Sequence, residues 1–461
     1  MSINTFLKDR IPDAKELVAR LEEKFDYVSV LGSYNKTRRV VSGTRSTSVD
    51  EMENECGFVI RMFDGSHFSE YSTNDIRGLS TEEILEAVEI PAMNQDFVKI
   101  RPMEEEEMTR SFERIDEHPL TNEEVLSRLE DIRHYCEQYD SRIINTNVMY
   151  SKREVSKIFV SAKKCLDQYY VWVNTGLMIL SREGSVIQNA YKTENESDSL
   201  LALTELDGIK EETCKLALDL LKATPIEPGE YDIITDPTIT GLIAHEAFGH
   251  GVEMDMFVKH RAKSVNYLGK QVASPLVSMH DGAAATLSAA SYFFDDDGVL
   301  AHDTTIIKDG ILQTGISDAL SALQLGTDPT GNGRRESFKR KAYTRMTNTF
   351  FSAGHDKVED MFKSIKHGYY LCDTNNGMED PKNWQIQCTA AYGLEIKDGQ
   401  LTGKIVAPVV ISGFVLDLLG SISMVSEEFK VTGSGMCGKG YKEWVYVSDG
   451  GPYMKARAKL G

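Results

Sequence analysis

The stretch HEAFGH, residues 245–250, contains two histidines and a glutamate, which are side chains that bind metal ions and move protons. It is one residue longer than H-E-x-x-H, in which two histidines separated by one helical turn bind the same zinc ion. In that motif the second histidine lies about 40° round the helix from the first. At i+5 the angle is about 140°, so the rings point apart on a regular helix. A shared metal ion therefore requires a local distortion.

The residues before HEAFGH predict the helix that carries it. Asp236 precedes Pro237, which is typical of a helix start with a side-chain cap and a proline at the first helical position. The apolar residues within 239–243 form one helical stripe, so His245 should lie about two turns into a buried helix.

Two glycines suggest how the histidine spacing is accommodated. Gly249 and Gly251 flank His250 and weaken regular helical geometry there. A π-bulge, with about 4.4 residues per turn, would bring residues five apart to within about 50° of each other. A bend at either glycine is the other possibility. The sequence thus predicts a helix that widens or bends between His245 and His250.

The polar residues of this helix favour a metal site. His245, Glu246, His250, Glu253 and Asp255 cluster on an otherwise apolar segment. Burying so many polar groups without a partner costs several kcal/mol, and a divalent cation is a suitable partner. The alternative is that these residues fall together by chance near a helix end.

Two histidines need a further ligand, because a catalytic zinc ion usually has three protein ligands and one open position. Glu253 and Asp255 are near in sequence, and Cys437 is a distant candidate. Cys437 lies between Gly435 and Gly438, where the backbone can approach closely and expose a thiolate. A lone cysteine is otherwise a small buried hydrophobic residue. The residues by themselves leave the three candidates open.

Three other motifs are less informative. Residues 433–438 spell G-x-G-x-x-G, but the strand-like KEWVYVS follows where a dinucleotide site needs a helix, which disfavours nucleotide binding. Residues 295–298, DDDG, lack the spacing of a calcium loop and predict a turn. The segments TGNGRR and RMTN contain Arg334, Arg335 and Arg345. These arginines are either solvated loop charges or groups that bind the backbone or a carboxylate of a substrate.

Composition restricts the class of protein. The chain has 461 residues, a hydrophobic share of 41% and a net charge of −20, which indicates two domains and argues against binding nucleic acid through its phosphates. No apolar run reaches the roughly 20 residues that span a bilayer. The N-terminal segment has no apolar signal region, which favours the cytoplasm. The seven scattered cysteines form no C-x-x-C pair, which argues against a disulfide framework.

Turn and cap signals predict an α+β fold in two parts. Residues 1–226 should form a mixed α/β domain, with helices at 13–25 and 209–223, capping boxes at Ser80 and Thr121, and a hairpin turn at Asp64-Gly65. ATPIEPGEYD, residues 223–232, then interrupts the pattern. Residues 227–461 should form a mainly antiparallel β-rich domain with one metal-binding helix. Its segments TTIIKDGIL and LEIKDGQL predict two further hairpins.

The blocks HEAFGHGVEMD, TGNGRR, RMTNTF and GMCGK occur in this order. Together they resemble the TldD/PmbA family, zinc metallopeptidases once described as modulators of DNA gyrase, and the resemblance covers nearly the whole chain. It implies an α/β N-terminal domain and a β-rich C-terminal domain.

The same resemblance implies particular roles at the site. His245, His250 and Cys437 would bind one Zn²⁺ per chain, and Glu246 would be the general base. Glu253 and Asp255, with Arg345, would then orient the ligands or face the substrate. The family resemblance also implies a dimer, either of two copies or with a TldE/PmbA-like chain that lacks the histidine motif.

The expected function is therefore zinc-dependent hydrolysis of peptide bonds in unfolded or extended polypeptides. In this mechanism zinc lowers the pKa of a water molecule, and Glu246 takes its proton and passes it to the leaving amine. The alternative is a non-catalytic peptide-binding or chaperone-like subunit whose metal is structural or absent.

Overall fold

The computed structural model describes residues 3–52, 54–65, 67–88, 105–440 and 443–461, without the side chain of Ser434. The first part of the chain contains helices α1 (Ile3–Lys8), α2 (Ile11–Leu21), α3 (Thr81–Ala87), α4 (Asn122–Tyr139), α5 (Ser199–Gly208) and α6 (Lys210–Asp219), and a 3₁₀ turn at Leu220–Lys222. Its strands are β1 (Tyr27–Gly43), β2 (Thr47–Glu51), β3 (Glu55–Phe63), β4 (Phe68–Thr73), β5 (Met108–Arg114), β6 (Ile143–Ser161), β7 (Lys164–Glu183) and β8 (Val186–Glu196).

These eight strands form one sheet in the order β4-β3-β1-β6-β7-β5, with β2 on β1 and β8 on β7. Within this sheet, only the β5–β7 pair is parallel among the described strands. Helices α1, α2 and α3 cover one apolar cluster, and α4, α5 and α6 cover another. Both predicted capping boxes are confirmed, because Ser80 and Thr121 each accept a hydrogen bond from the backbone N–H three residues later.

The second part contains helices α7 (Pro237–Ile243), α8 (Met254–Val258), α9 (Ala319–Leu325), α10 (Val358–Lys363) and α11 (Val415–Gly420). Its strands are β9 (Gly229–Thr235), β10 (Met279–Asp281), β11 (Thr304–Lys308), β12 (Ile311–Leu312), β13 (Gly333–Arg334), β14 (Tyr343–Thr344), β15 (Asn348–Phe351), β16 (His367–Asp380), β17 (Gln385–Lys397), β18 (Gln400–Val406), β19 (Val409–Phe414), β20 (Met424–Lys439) and β21 (Glu443–Leu460). Short turns of other helix types lie at Ala244–Gly249, His250–Val252 and Lys263–Tyr267.

Eleven of these strands form a second sheet in the order β12-β11-β10-β15-β21-β19-β17-β16-β9, with β18 on β17 and β20 on β21. The β15–β21 and β16–β9 pairs are parallel, and the other paired strands of this sheet are antiparallel. The α+β fold with a β-rich second part is therefore confirmed. The predicted turns at Asp309-Gly310 and Asp398-Gly399 are also confirmed, since all four residues have positive φ, as a type I′ hairpin turn requires.

Some predicted boundaries differ from the structure. The helix expected at 13–25 runs from Ile11 to Leu21, and the helix expected at 209–223 ends at Asp219 before a 3₁₀ turn. The expected division near residues 224–230 falls between the last strand of the first sheet and the first strand of the second. The division into two domains stays a prediction. Among the described residues no helix has both the length and the hydrophobicity for a membrane span.

Ion pairs join the first sheet to loops of the second part of the chain. Asp297 pairs with Arg61 of β3, and Asp296 pairs with Lys157 of β6. These carboxylates belong to the DDDG segment, whose Gly298 has a φ of 72°, so the predicted turn is present. Glu70 of β4 likewise pairs with Arg335 across the same boundary.

Candidate metal centre

The helix that carries both histidines starts as expected and then widens. The Asp236 side chain accepts a hydrogen bond from the Ile239 N–H at 2.8 Å, and Pro237 opens α7. Residues Ala244–Gly249 then form a π-helical turn, in which the N–H of His250 donates to the carbonyl of His245, five residues earlier. The prediction of a widened helix is confirmed, and this turn brings residues five apart onto one side.

Glycines allow this helix to pack closely against the sheet. A Cβ at Gly241 would overlap the backbone nitrogen of Gly450 in β21. A Cβ at Gly249 would lie 2.2 Å from the sulfur of Met346. Both contacts are closer than atoms can approach, so the segment lies against the sheet only because these side chains are absent.

The three predicted ligands converge, although Cys437 comes from β20, far along the chain. The ligand atoms of His245, His250 and Cys437 all lie within 4.8 Å of one another. The Cys437 Sγ lies 3.5 Å from Nε2 of His250, and the two imidazole rings have centroids 5.1 Å apart at an angle of 90°. His245 and Cys437 are each only 5% exposed. No other group of metal-ligating side chains is found in the part of the chain that the structure describes.

The electrostatics of this cluster favour a thiolate. Burial raises the pKa of the Cys437 thiol, but His250 and His245 outweigh burial and hold this pKa well below its ordinary value. Burial lowers the pKa of His250, but the Cys437 charge outweighs burial and brings this pKa well above its ordinary value. Each group thus stabilises the charged form of the other, as oppositely charged neighbours do.

Glu253 and Asp255 both form ion pairs with the buried Lys439. Glu253 Oε2 lies 3.3 Å from Nδ1 of His250 and 3.0 Å from Nζ of Lys439, and the same Nζ lies 2.7 Å from Asp255 Oδ1. Burial raises the pKa of Glu253, but Lys439 and His250 lower it to about 2. Glu253 is therefore held as an anion next to His250, and carboxylates commonly lie in this position beside metal-binding histidines.

The predicted arginines bind main-chain carbonyls. Arg345 is only 1% exposed and donates to the carbonyl oxygens of Cys437 and Glu443, on the two strands of the β20–β21 pair. Arg334 donates to the carbonyls of Met346 and Tyr446. Arg345 thus holds the backbone of Cys437 in place from within the core.

Glu246 is in a different environment. Its side chain is half-buried beside β16, where a Cβ at Gly377 would overlap its Cγ. Within the described ranges no hydrogen bond or ion pair engages its carboxylate. A carboxylate without a partner, next to a candidate metal ligand, is free to exchange protons with a bound substrate or water.

The sequence did not indicate two further carboxyls near the cluster. Both oxygens of Glu379 are buried without a hydrogen-bond partner, and burial raises its pKa well above the ordinary value, although His250 opposes this. Burial also raises the pKa of Asp449, to about 6, and His245 is the group that opposes it most. Neither residue belongs to a sequence motif. Each lies near the helix because strand pairing places β16 and β21 beside it.

The donor set fits zinc. Two imidazoles and a thiolate are ligands that zinc prefers, and three protein ligands are the usual number at a catalytic site. Nδ1 of His245 is buried and has no hydrogen-bond partner. A histidine in this state is costly unless its ring is engaged by a further group, which a bound cation would help to explain.

Comparison with known proteins agrees with this combination of fold and donor set, which is that of a metallopeptidase. Residues 228–458 match the family model described as the PmbA/TldA metallopeptidase C-terminal domain. A metalloprotease of Methanothermobacter thermautotrophicus is 27% identical over 95% of each chain. A zinc metalloprotease TldD homolog of Saccharolobus solfataricus is 28% identical over 61% of this chain and 62% of its own.

A solved structure shares the whole architecture. TldE from Thermococcus kodakarensis superposes with a TM-score of 0.77 and 18% identity, over 97% of this chain and all of that one. At this identity the likeness shows the fold. The chain belongs to the TldD/PmbA metallopeptidase family.

Proposed function

We propose that this protein is a zinc-dependent peptidase in which His245, His250 and Cys437 hold one zinc ion and Glu246 is the general base. The observation that carries the proposal is the 4.8 Å cluster of three ligand atoms. The partnerless carboxylate of Glu246 lies one residue from the first of them. Relatives named metalloprotease and zinc metalloprotease support the same chemistry.

Each residue has a distinct task in this mechanism. Zinc supplies a Lewis acid that polarises a carbonyl group and makes water more nucleophilic. Glu246 accepts a proton from the attacking water and returns it to the leaving amine. Glu253 holds Nδ1 of His250, and Lys439 keeps that carboxylate ionised. Arg345 fixes the carbonyl of Cys437.

The strand that carries Cys437 supports extended polypeptides as the substrate class. In the described part of the chain, residues 435–439 of β20 pair with β21 on one side only. An extended substrate could therefore add to the free edge through its backbone, a binding mode that selects unfolded chains and has little side-chain specificity. Met436, at this edge, is 47% exposed and offers an apolar contact.

Zinc stoichiometry and hydrolysis test the proposal separately. Metal analysis of the full chain should give about one zinc per chain, which His245→Ala and Cys437→Ala should each abolish. Matched controls are His280→Ala and Cys165→Ala, since both residues lie outside the cluster. Zinc retained in both ligand variants would refute the ligand set.

Activity on casein tests the base. Glu246→Gln should retain zinc while casein hydrolysis falls by at least about 100-fold, the lower range for a general base. Wild-type activity should also disappear with a chelator. Full activity of Glu246→Gln would refute the mechanism.

The non-catalytic alternative predicts a different result. A peptide-binding subunit would bind unfolded casein, with or without zinc, and would show no chelator-sensitive hydrolysis. A structural zinc ion usually has four protein ligands, and the cluster in the described residues has three. Pairing with a second copy or with a TldE-like chain stays a prediction, as does the cytoplasmic location. Light scattering of the purified chain tests the pairing.

A further inference from the structure

The two histidines of the cluster have unequal support. Nδ1 of His250 has a carboxylate partner in Glu253, at 3.3 Å. Nδ1 of His245 is buried and has no hydrogen-bond partner among the residues that the structure describes. A metal-ligating histidine nearly always donates its second ring nitrogen to a carboxylate, a carbonyl or water, which fixes the orientation of the ring. The structure should therefore contain a group that serves His245.

Strand β21 brings one carboxylate to the required position. Val445 of this strand pairs with Cys437, and side chains two residues apart share a face of a strand. Val447 and Asp449 therefore lie on the same face as Val445, towards the core that contains the cluster.

The contact between α7 and β21 fixes where Asp449 lies along the helix relative to His245. A Cβ at Gly241 would lie 2.8 Å from the carbonyl carbon of Asp449. His245 follows Gly241 by four residues, which is one turn along the same side of the helix. The backbone of Asp449 thus lies against α7 at Gly241, one helical turn before His245.

Asp449 is also free to serve this role. In the ranges that the structure describes, no hydrogen bond or ion pair involves its carboxylate. His245 lowers the pKa of the Asp449 carboxyl, and this is the largest effect of any charged group on that pKa. Glu246 and Cys437 raise it by less.

We propose that Asp449 is a positioning residue for His245: its carboxylate accepts a hydrogen bond from Nδ1–H, which turns Nε2 of His245 towards the metal. This inference rests on the proposed zinc site. It makes the site nearly symmetric, because Glu253 supports His250 from one side and Asp449 supports His245 from the other. Asp449 acts only through His245, so its effect should appear in metal binding before any substrate is added.

Zinc affinity of the full-length chain tests the pairing. Affinity is measured by competition with a chromophoric chelator after metal removal. Asp449→Ala should bind zinc about 10–100-fold more weakly than wild type, the usual loss for such a partner. Asp449→Asn keeps an acceptor oxygen and should lose less. The visible spectrum of the cobalt-loaded protein should change in Asp449→Ala, because the His245 ring is no longer held.

Glu379→Gln is the matched control. Glu379 is another buried carboxyl beside the same helix, but the charged group that changes its pKa most is His250, whose Nδ1 already has Glu253 as a partner. Zinc affinity of Glu379→Gln should stay within about threefold of wild type, since the 10–100-fold loss is expected only for groups that hold a metal ligand. Equal weakening in Glu379→Gln and Asp449→Ala would overturn the pairing. So would an Asp449→Ala affinity within threefold of wild type.

These results are separable from the proposed function. If His245→Ala and Cys437→Ala keep zinc, then the ligand set is wrong. If those variants lose zinc while both Asp449 variants bind it normally, then only the pairing of Asp449 with His245 is wrong. Urea unfolding of each apo variant confirms that the chain is folded before zinc is added.

Discussion

A methyl group at position 249 probes the widened turn directly. In Gly249→Ala the new Cβ would lie 2.2 Å from the Met346 sulfur and 3.2 Å from the carbonyl oxygen of Ala244. Met346 is completely buried, so its side chain has little room to move. The carbonyl belongs to the π-helical turn itself. Relief therefore requires the backbone that carries His250 to shift.

The expected cost can be estimated from these distances. Non-bonded heavy atoms are usually about 3.5–4.0 Å apart, so the sulfur and the methyl must separate by more than about 1 Å. Overpacking of this kind costs about 1–3 kcal/mol. Alanine favours helix over glycine by up to about 1 kcal/mol, which offsets part of the cost. We expect the free energy of unfolding to fall by about 1–2 kcal/mol.

Urea unfolding of the metal-free protein measures this change, and zinc competition measures the displacement of His250. Gly208→Ala is the control, because no atom lies within 4 Å of its added Cβ. Its stability should be unchanged or slightly higher. A double-mutant cycle with Met346→Ala identifies the clash: removing Met346 should cost at least about 1 kcal/mol less in the Gly249→Ala chain than in wild type.

An additive cycle would refute this reasoning. So would a Gly249→Ala chain with wild-type stability and wild-type zinc affinity. Either result would mean that the turn has room for a side chain and that the contact with Met346 does not hold its shape.

Three further outcomes follow from the charges and the metal. Lys439→Met leaves Glu253 with only His250, and Asp255 with only Lys259, as a cationic partner, so the free energy of unfolding should fall by up to about 3–5 kcal/mol in urea titrations. Burial raises the pKa of Glu70, but ion pairs with Arg61 and Arg335 lower it from 4.5 to about 2. Because the folded pKa is depressed and solvent partly screens the exposed pair, Glu70 contributes on the order of 1–2 kcal/mol above pH 4.5, and this contribution is lost as the pH falls towards 2. The stability difference between wild type and Glu70→Gln should therefore shrink between pH 6 and pH 3. Free zinc at 100 times its dissociation constant should stabilise the chain by about 2.7 kcal/mol, which a chelator removes in a calorimetric scan.

Each outcome has a result that contradicts it. Wild-type stability of Lys439→Met would show that His250 and Lys259 alone are enough to compensate the two carboxylates. A Glu70→Gln difference that stays constant from pH 6 to pH 3 would mean that Glu70 is not held by its arginines. A midpoint unaffected by zinc and chelator in the wild type would contradict metal binding to the folded state.

Much of the local structure could be predicted because its signals lie within a few residues. The cap at Asp236, the boxes at Ser80 and Thr121, and the Asp-Gly hairpin turns each depend on side chains within one turn of the backbone they hold. The widened helix could also be predicted, since it follows from the i+5 spacing and from Gly249.

Longer-range features left no such signal. The interaction of Lys439 with Glu253 joins residues 186 positions apart. Nothing in the neighbourhood of either residue indicates its partner. Glu379 and Trp384, both with buried polar atoms that lack a partner, reach the helix only through the pairing of β16 with β17.

The sequence by itself determined that a glycine-broken helix would carry His245, Glu246 and His250, because periodicity and capping are local properties of the chain. Its motif blocks also placed the chain in its family, with Cys437 as the expected ligand. Only the tertiary structure decided which groups surround those residues. The close packing of α7 on β21 and the pairing of β20 with β21 bring Cys437 to the histidines. The same contacts bind Glu253 and Asp255 to Lys439 and place the backbone of Asp449 against α7, because sheet register is fixed by the whole fold.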